Sequence, residues 1–348
     1  MNNYPLSTVN YPLFQPFIKA VGRGEKLKRD LTYEESIDAM RMILNGEATE
    51  AQIGAFLIAQ RVKGEAVDEI LGFTQVIRTE FMRPCCPRVE NLLDLAVPYD
   101  GKAKSAQLAP AVAIILAEAG IPVLLHGAED VPTKAGVGPG AVFQALGIAN
   151  DQMPDDVARL IERVGVGYLD AKHFAPAWHD LMPLRRQFGL RTVLNTVEKF
   201  FNPANAPYQV SGFFHANYIE RIRETQTGTR SSWMVQGEEG SIEMAAGRKS
   251  HIFATDPAHD MILAPETVGL PIRERITLPP DVIQHADLNR AVLSGEPSPA
   301  ADQVQLTVAA ILMLLDVVTG LHAGMAQARA VVSSGRAQRR LDRVKNGE

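Results

Sequence analysis

The chain has 348 residues, of which 46% are hydrophobic and 22% are charged, which is enough apolar material for one large domain or two modest ones. A formal net charge of −5 excludes a protein that is basic overall, so any nucleic-acid binding would need a local basic patch. Neither a signal peptide nor an apolar run long enough to span a bilayer is visible, so we expect a cytoplasmic protein without membrane contact.

The first third of the chain predicts a helical domain over residues 1–87. Thr32 and Thr49 each begin a capping box, and each box opens a helix that ends at a glycine. Apolar residues at helical spacing predict a third helix over about residues 67–81.

A pair of cysteines between prolines closes this domain. Pro84 and Pro87 cannot lie inside a helix, so we place the boundary there. Cys85 and Cys86 are adjacent, which disulfide geometry rarely allows, and no histidine stands near them to complete a zinc site. We therefore expect two free thiols in a reducing compartment.

After residue 88 the pattern alternates between short apolar runs and helical segments. The predicted strands cover residues 92–97, 122–126, 166–169, 208–213 and 232–236. The predicted helices cover residues 107–119, 155–163, 176–188, 191–200 and 303–318, with a short one before Gly147. This alternation favours an α/β domain over residues 88–330, with a mostly parallel sheet covered on both faces. Residues 244–300 show only weak periodicity. Residues 331–348 predict a basic, solvated tail, with a nucleic-acid arm as the alternative.

An ordered series of short motifs runs through the second half of this region. It consists of Phe174-Ala175-Pro176, His179, Arg185, Gly189-Leu190-Arg191-Thr192, Asn195, Asn202-Pro203-Ala204-Asn205-Ala206-Pro207, Gln209 and Gly212. His126-Gly127, Lys134 with Gly136, Ala145-Leu146-Gly147 and Gly54-Ala55-Phe56-Leu57 extend it. With these motifs the chain resembles the anthranilate phosphoribosyltransferase family over about residues 18–330. The resemblance implies a small helical domain that dimerises, with helices from about residues 174–200 packing on it, and substrates bound between it and the α/β domain.

The chain departs from that family where the substrate phosphates and magnesium would bind. Of the diphosphate loop Gly-Thr-Gly-Gly-Asp-Gly only Asp100 and Gly101 remain, and Pro98 removes a backbone donor. The hydroxyl-bearing motif for magnesium is replaced by Gln107-Leu108-Ala109-Pro110, and the Asp-Glu pair falls on Ile242-Glu243. Because magnesium needs hard oxygen ligands, we expect weak metal binding, with Glu243 as the one remaining ligand.

Basic residues stand near the degraded loop. Lys102 and Lys104 follow it, and either could contact phosphate or form a solvated surface pair. If the family fold holds, further cations line the same cleft: Lys134, Arg185, Arg191 and Lys199. His126, at a strand end, could join them or serve as a hydrogen-bonded structural residue. Tyr99 could stack on a base. The run from Pro98 to Lys102 is similar to the YbiB-like subgroup of the family, which implies nucleic-acid binding.

Two hypotheses follow. The first is a family member that has lost catalysis with phosphoribosyl pyrophosphate (PRPP) and magnesium. It would need no cofactor and would bind nucleic acid, single-stranded and largely without sequence specificity, or a small phosphorylated ligand. The alternative is an active phosphoribosyltransferase that uses PRPP and magnesium with anthranilate or another acceptor. The resemblance then implies roles for Asp100, Arg185 and Glu243, with Arg185 at the position that contacts the acceptor carboxylate.

Overall fold

The structure, a computed structural model, describes residues 11–348. Its N-terminal part consists of four helices: α1 (Tyr11–Gly22), α2 (Tyr33–Leu44), α3 (Glu50–Lys63) and α4 (Val67–Val76), the last continued by a π-helical segment, Ile77–Phe81. Both predicted capping boxes are present, since the Thr32 hydroxyl accepts from the Glu35 N–H group and the Glu35 carboxylate accepts from the Thr32 N–H group, and Thr49 and Gln52 repeat the arrangement.

A seven-stranded sheet forms the centre of the larger part. Its strands are β1 (Leu93–Ala96), β2 (Val123–Gly127), β3 (Val166–Asp170), β4 (Tyr208–Gly212), β5 (Ser231–Val235), β6 (Ser250–Ala254) and β7 (Met261–Leu263). They lie in the order β3-β2-β1-β4-β5-β6-β7. The first five strands are parallel, and β6 is antiparallel to both of its neighbours, β5 and β7. The predicted α/β fold class with a mostly parallel sheet is thus confirmed.

Twelve further helices accompany the sheet in the described chain. They are α5 (Ala109–Glu118), α6 (Pro139–Ala145), α7 (Pro154–Val164), α8 (Ala171–Phe174), α9 (Pro176–His179), α10 (Met182–Phe188), α11 (Leu194–Val197), α12 (Ala216–Ile222), α13 (Val282–Ser294), α14 (Pro299–Leu314), α15 (Leu321–Ser333) and α16 (Arg336–Asn346).

The two faces of the sheet belong to different cores. On β1, Leu93 and Leu95 join a core that includes α5 and α14, whereas the alternate residue Asp94 is buried on the other face. That other face packs against the helical domain, whose core also includes Trp178 and Phe201. Helices α9–α11 contribute residues to the same core, among them Trp178, Leu184 and Val197.

Three sequence-based expectations need correction. The helices over 176–188 and 191–200 are interrupted. α9 ends at His179, α10 begins at Met182 with Pro183 in its first turn, and Gly189 ends α10 at φ +62°. Residues 244–300 contain two strands and α13. Residues 336–346 form the packed helix α16, not a solvated tail, since Leu341 and Val344 are buried.

No helix within residues 11–348 is long and apolar enough to cross a membrane.

The cysteines are free thiols, with Cys85 buried and Cys86 exposed. The cytoplasmic location and dimerisation through the helical domain stay predictions.

Candidate functional site

A cleft of about 570 Å³ opens at the carboxyl ends of β1, β4 and β5, beneath the end of α3. The strand order reverses direction between β1 and β4, and open α/β sheets bind ligands at such a switch point. The cleft is lined by Arg61, Val62, Lys63, Gly64, Glu65, Pro98, Asp100, Arg191, Thr192, Asn195, Thr196, Glu198, Lys199, Phe213, Phe214, His215, Tyr218, Arg221, Glu239 and Gly240.

The loop after β1 turns its tyrosine inward. Tyr99 is 2% exposed, and its hydroxyl is hydrogen-bonded to Nδ1 of His126. His126 Nε2 lies 3.0 Å from Oδ1 of the buried Asp94 carboxylate, whose Oδ2 accepts from Gln209 at 2.6 Å. Burial, with nearby Glu198 and Asp94, raises the pKa of Tyr99 well above its ordinary value. Tyr99 therefore cannot stack on a base in this structure, and His126 serves as a hydrogen-bonded structural residue.

Gly101 is retained in this loop for a steric reason. Its φ is +68°, and a Cβ atom there would come within 2.4 Å of the Gly136 carbonyl oxygen. The turn thus needs a glycine whether or not the loop binds phosphate.

The Asp100 carboxylate contacts two of the predicted cations on the cleft wall. Its Oδ2 accepts from Nε and Nη2 of Arg191 at 2.8 and 2.5 Å, and its Oδ1 lies 3.3 Å from Lys134 Nζ. Burial lowers the pKa of Lys134, and the opposing carboxylates of Asp100 and Glu239 favour its charged form. These cations already have anionic partners within the chain.

Glu239 reaches the same region from the loop after β5. Its carboxylate accepts from the N–H groups of Ala103 and Lys104 at 3.0 and 3.1 Å and from the Ser105 hydroxyl at 2.8 Å. Burial alone would raise the pKa of Glu239, but these donors and the Lys134 ammonium together bring it down to about 2. Glu239 is therefore a carboxylate at physiological pH.

Lys102 lies behind the cleft wall. It is 2% exposed, and its Nζ donates to the Glu238 carbonyl at 2.5 Å and lies 3.3 Å from Glu243 Oε2. The other oxygen of Glu243 accepts from the Leu108 N–H group at 3.1 Å. Lys102 therefore neutralises Glu243 and does not reach the cleft.

The donor set around Glu243 does not fit a magnesium ion. Magnesium usually reaches proteins through carboxylates in near-octahedral order, and here a single carboxylate is shared with an ammonium group. Residues 11–348 also contain no group of three His, Cys, Asp or Glu side chains placed to hold a metal. Glu243 with these partners does not form a magnesium site.

Arg185 and Lys199 are also engaged internally. Arg185 is buried, donates to Glu198 at 2.9 Å and lies 5.5 Å from the centre of the Trp178 ring. Lys199 donates to the Gly212 carbonyl at 2.8 Å, and burial lowers its pKa to about 8. Arg185, which the resemblance places against the acceptor carboxylate, thus already binds the Glu198 carboxylate of this chain.

The structure brings some predicted site residues together and separates others. Asp100, Arg191 and Lys199 line the cleft, and Lys134 contacts Asp100 and Glu239 on its wall. Lys104 is exposed beside the cleft wall. The remaining predicted residues are buried with partners and are absent from the cleft lining: Lys102, His126, Arg185 and Glu243.

Sequence reasoning missed the residues at the mouth of the cleft. Arg61 is exposed at the end of α3, and Arg221 on α12 keeps 52% of its side chain exposed, 5.0 Å from the Tyr218 ring. Phe214 and His215 are the second and third residues after β4, and Phe214 is 53% exposed. The sequence did contain a sign of this, namely an aromatic residue just after a predicted parallel strand, because ligands bind at the carboxyl ends of such strands.

Two family models match the chain. The model for the helical bundle domain of the glycosyl transferase family covers residues 15–80, and the model for the a/b domain of that family covers residues 101–338. The anthranilate phosphoribosyltransferase of Thermomicrobium roseum is 32% identical over 328 residues, 90% of this chain and 92% of its own length. The same enzyme of Thioalkalivibrio sulfidiphilus is 35% identical over 329 residues, 90% of this chain and 94% of its own.

This chain belongs to the anthranilate phosphoribosyltransferase family. The crystal structure of anthranilate phosphoribosyltransferase from Thermus thermophilus superposes with a TM-score of 0.83 at 29% identity, covering 96% of this chain and 98% of that one. The Saccharomyces cerevisiae enzyme in complex with PRPP and Mg has a TM-score of 0.83 at 18% identity, covering 97% and 98%, which shows a shared fold. The predicted family is confirmed, and the YbiB-like subgroup stays a prediction.

Charged groups in and behind this cleft wall are paired within the chain. In and behind the cleft wall, three groups that could bind an anion instead contact carboxylates of this chain: Arg185 contacts Glu198, Arg191 contacts Asp100, and the Ala103–Ser105 segment contacts Glu239. Arg61 and Arg221, at the mouth, are exposed.

Proposed function

We propose that this anthranilate phosphoribosyltransferase-like protein binds nucleic acid along the mouth of its cleft and does not transfer phosphoribosyl groups. The observation that carries the proposal is the contrast between two zones. Inside, the predicted cations are paired with carboxylates or buried. At the mouth, two arginines and an aromatic ring are exposed, namely Arg61, Arg221 and Phe214. Arg221 has only a distant carboxylate partner, Glu65 at 3.8 Å.

The inner zone opposes PRPP chemistry on electrostatic grounds. A diphosphate would have to enter a site whose donors already bind Asp100 and Glu239, and like charges at short range repel. Glu243 would have to release Lys102 before it could reach a metal ion carried by the substrate. Each of these exchanges would leave a buried charged group without its present partner, which costs free energy.

The mouth suits a single strand. Guanidinium groups bind phosphate oxygens in bidentate fashion, and an exposed aromatic ring such as Phe214 offers a stacking surface to any base. Such contacts position a strand without reading its sequence, so we expect little sequence preference. The same guanidinium groups could instead grip a small phosphorylated ligand.

The second candidate is an active phosphoribosyltransferase that uses PRPP and magnesium with anthranilate or another acceptor. Identities of 32% and 35% to curated anthranilate phosphoribosyltransferases over nine-tenths of the chain favour it. Asp100, Arg185 and Glu243 would then carry substrate contacts, after their present partners Arg191, Glu198 and Lys102 have moved. As a further partner we propose a second copy of this chain, bound through α1–α4.

The test is fluorescence anisotropy with a labelled single-stranded oligonucleotide across a salt series. Removing one phosphate-contacting arginine should lower the magnitude of the slope of log K against log salt by about 1, so we expect this for R61Q and for R221Q. F214A should weaken binding by about 1–3 kcal/mol without changing the slope.

The matched control is Arg159→Gln, an exposed arginine on α7 that lies outside the cleft. It changes the net charge by the same amount and should leave both affinity and slope unchanged. If R159Q weakens binding as much as R61Q does, the cleft mouth is not the binding surface. Binding that is unaffected by salt would contradict nucleic-acid binding through phosphate contacts.

A further inference from the structure

The Glu239 carboxylate is bound by donor groups from other parts of the chain. Two backbone N–H groups, from Ala103 and Lys104, and the Ser105 hydroxyl all donate to it at 2.8–3.1 Å. The Lys134 ammonium lies 3.5 Å from its Oε1 atom. All four groups come from segments distant in sequence, so the carboxylate has entered a site that the rest of the chain builds.

The backbone of Glu239 supports this view. It has φ +55° and ψ +25°, in the left-handed region that non-glycine residues seldom adopt. Glu239 therefore adopts an unfavourable backbone conformation while its side chain binds the Ala103–Ser105 loop. Its side chain is 10% exposed and lines the cleft, so a ligand in the cleft can reach it.

The donor set is one that a phosphoryl group requires. Paired N–H groups, a hydroxyl and an ammonium are the usual partners of phosphate oxygens, and charge-assisted hydrogen bonds of this kind are the strong ones. The site consists of Ala103–Ser105 and Lys134, and none of these residues belongs to residues 96–101, where the family motif places the diphosphate loop.

We propose that Ala103–Ser105 and Lys134 form a binding site for a phosphoryl group, and that Glu239 is its internal, displaceable occupant. An intramolecular ligand acts at high effective concentration, so wild-type protein binds phosphate weakly until Glu239 leaves. The inference does not rest on nucleic-acid binding at the cleft mouth, because free phosphate is a sufficient ligand.

The experiment is isothermal titration calorimetry of Glu239→Gly with inorganic phosphate and with ribose 5-phosphate. Glycine tolerates the positive φ, so this variant removes the carboxylate and keeps the turn. We expect it to bind at least one probe about tenfold more tightly than wild type, since a bound anion gains charge-assisted hydrogen bonds that Glu239 now uses. The tighter probe shows whether the site takes free phosphate or a phosphate ester.

Two further variants make the result specific. Glu238→Gln removes the neighbouring carboxylate, which lies 3.9 Å from Arg275 and makes no contact with residues 103–105, and it should bind as weakly as wild type. In the Glu239→Gly background, Lys134→Ala should abolish the gain.

The proposal is overturned if folded Glu239→Gly binds both probes no more tightly than Glu238→Gln, or if its gain survives Lys134→Ala. Should Glu239→Gly fail to fold, Glu239→Gln provides the same comparison. It keeps the side-chain shape and removes the charge, so it should show a smaller gain, and no gain would equally overturn the proposal.

Discussion

Replacing Lys102 by methionine should destabilise the protein strongly, because it would leave Glu243 as an unpaired buried carboxylate. Lys102 is 2% exposed and Glu243 is fully buried, and their charged atoms are 3.3 Å apart. Removing one partner of a buried ion pair typically costs about 3–5 kcal/mol, mostly through the charge left behind. Methionine retains the apolar stem, so lost packing contributes little.

The assay is equilibrium unfolding in urea, followed by circular dichroism and tryptophan fluorescence. K102M should lose about 3–5 kcal/mol, and K102M/E243Q should recover a large part of that loss because no net charge then stays buried. K104M is the matched control. Lys104 is exposed two residues away, so its replacement should change stability by no more than about 0.5 kcal/mol.

A K102M protein within about 1 kcal/mol of wild type would refute this reasoning, since it would mean that Glu243 finds water or another cation without cost. A double variant no more stable than K102M would also contradict it, because the loss would then not arise from the unpaired charge.

Two further predictions concern titration and thiol chemistry. Burial lowers the pKa of Lys199 to about 8, so below pH 8 the folded state bears the full cost of a buried charge, and above pH 8 it loses this proton before the unfolded state does. The free energy of unfolding of wild type should therefore rise by about 2 kcal/mol between about pH 7.5 and about pH 9.5, relative to that of K199M. Parallel pH profiles of the two proteins would contradict this. Burial raises the pKa of the Cys85 thiol to about 12, whereas Cys86 is exposed. A thiol reagent should therefore modify Cys86 in the native protein and Cys85 only after unfolding. Rapid modification of both thiols in the native protein would contradict this.

Much of the fold is predictable from the sequence because its signals are local. The capping residues Thr32 and Thr49 mark where helices begin, and apolar runs mark the five parallel strands. The strands β6 and β7 escaped prediction. β7 has three residues and is the edge strand, and neither β6 nor β7 carries a strong alternation.

The site was less predictable because its charges are arranged by contacts that are distant in sequence. Lys102 and Lys104 look equivalent in the sequence, but one is buried against Glu243 and the other is exposed. Nothing near Glu239 indicates that its carboxylate meets a loop more than 130 residues earlier. Counting cations therefore overestimated how many are available to a ligand.

The C-terminal helix shows the same limit. A run of arginines predicted a solvated tail, yet Arg336 and Arg340 both bind Glu118, and Leu341 anchors the helix in the core. The apolar residues that anchor it are spaced at helical intervals among the charges, and that spacing was the signal to follow.

The most direct test of the central proposal is anisotropy of a labelled single-stranded oligonucleotide, measured from about 50 to about 200 mM salt, with PRPP plus magnesium as competitor. The proposal predicts tight binding that weakens steeply with salt, a smaller slope for R61Q and R221Q, and no displacement by PRPP. Absence of oligonucleotide binding, together with saturable binding of PRPP in magnesium, would contradict it and favour an active phosphoribosyltransferase.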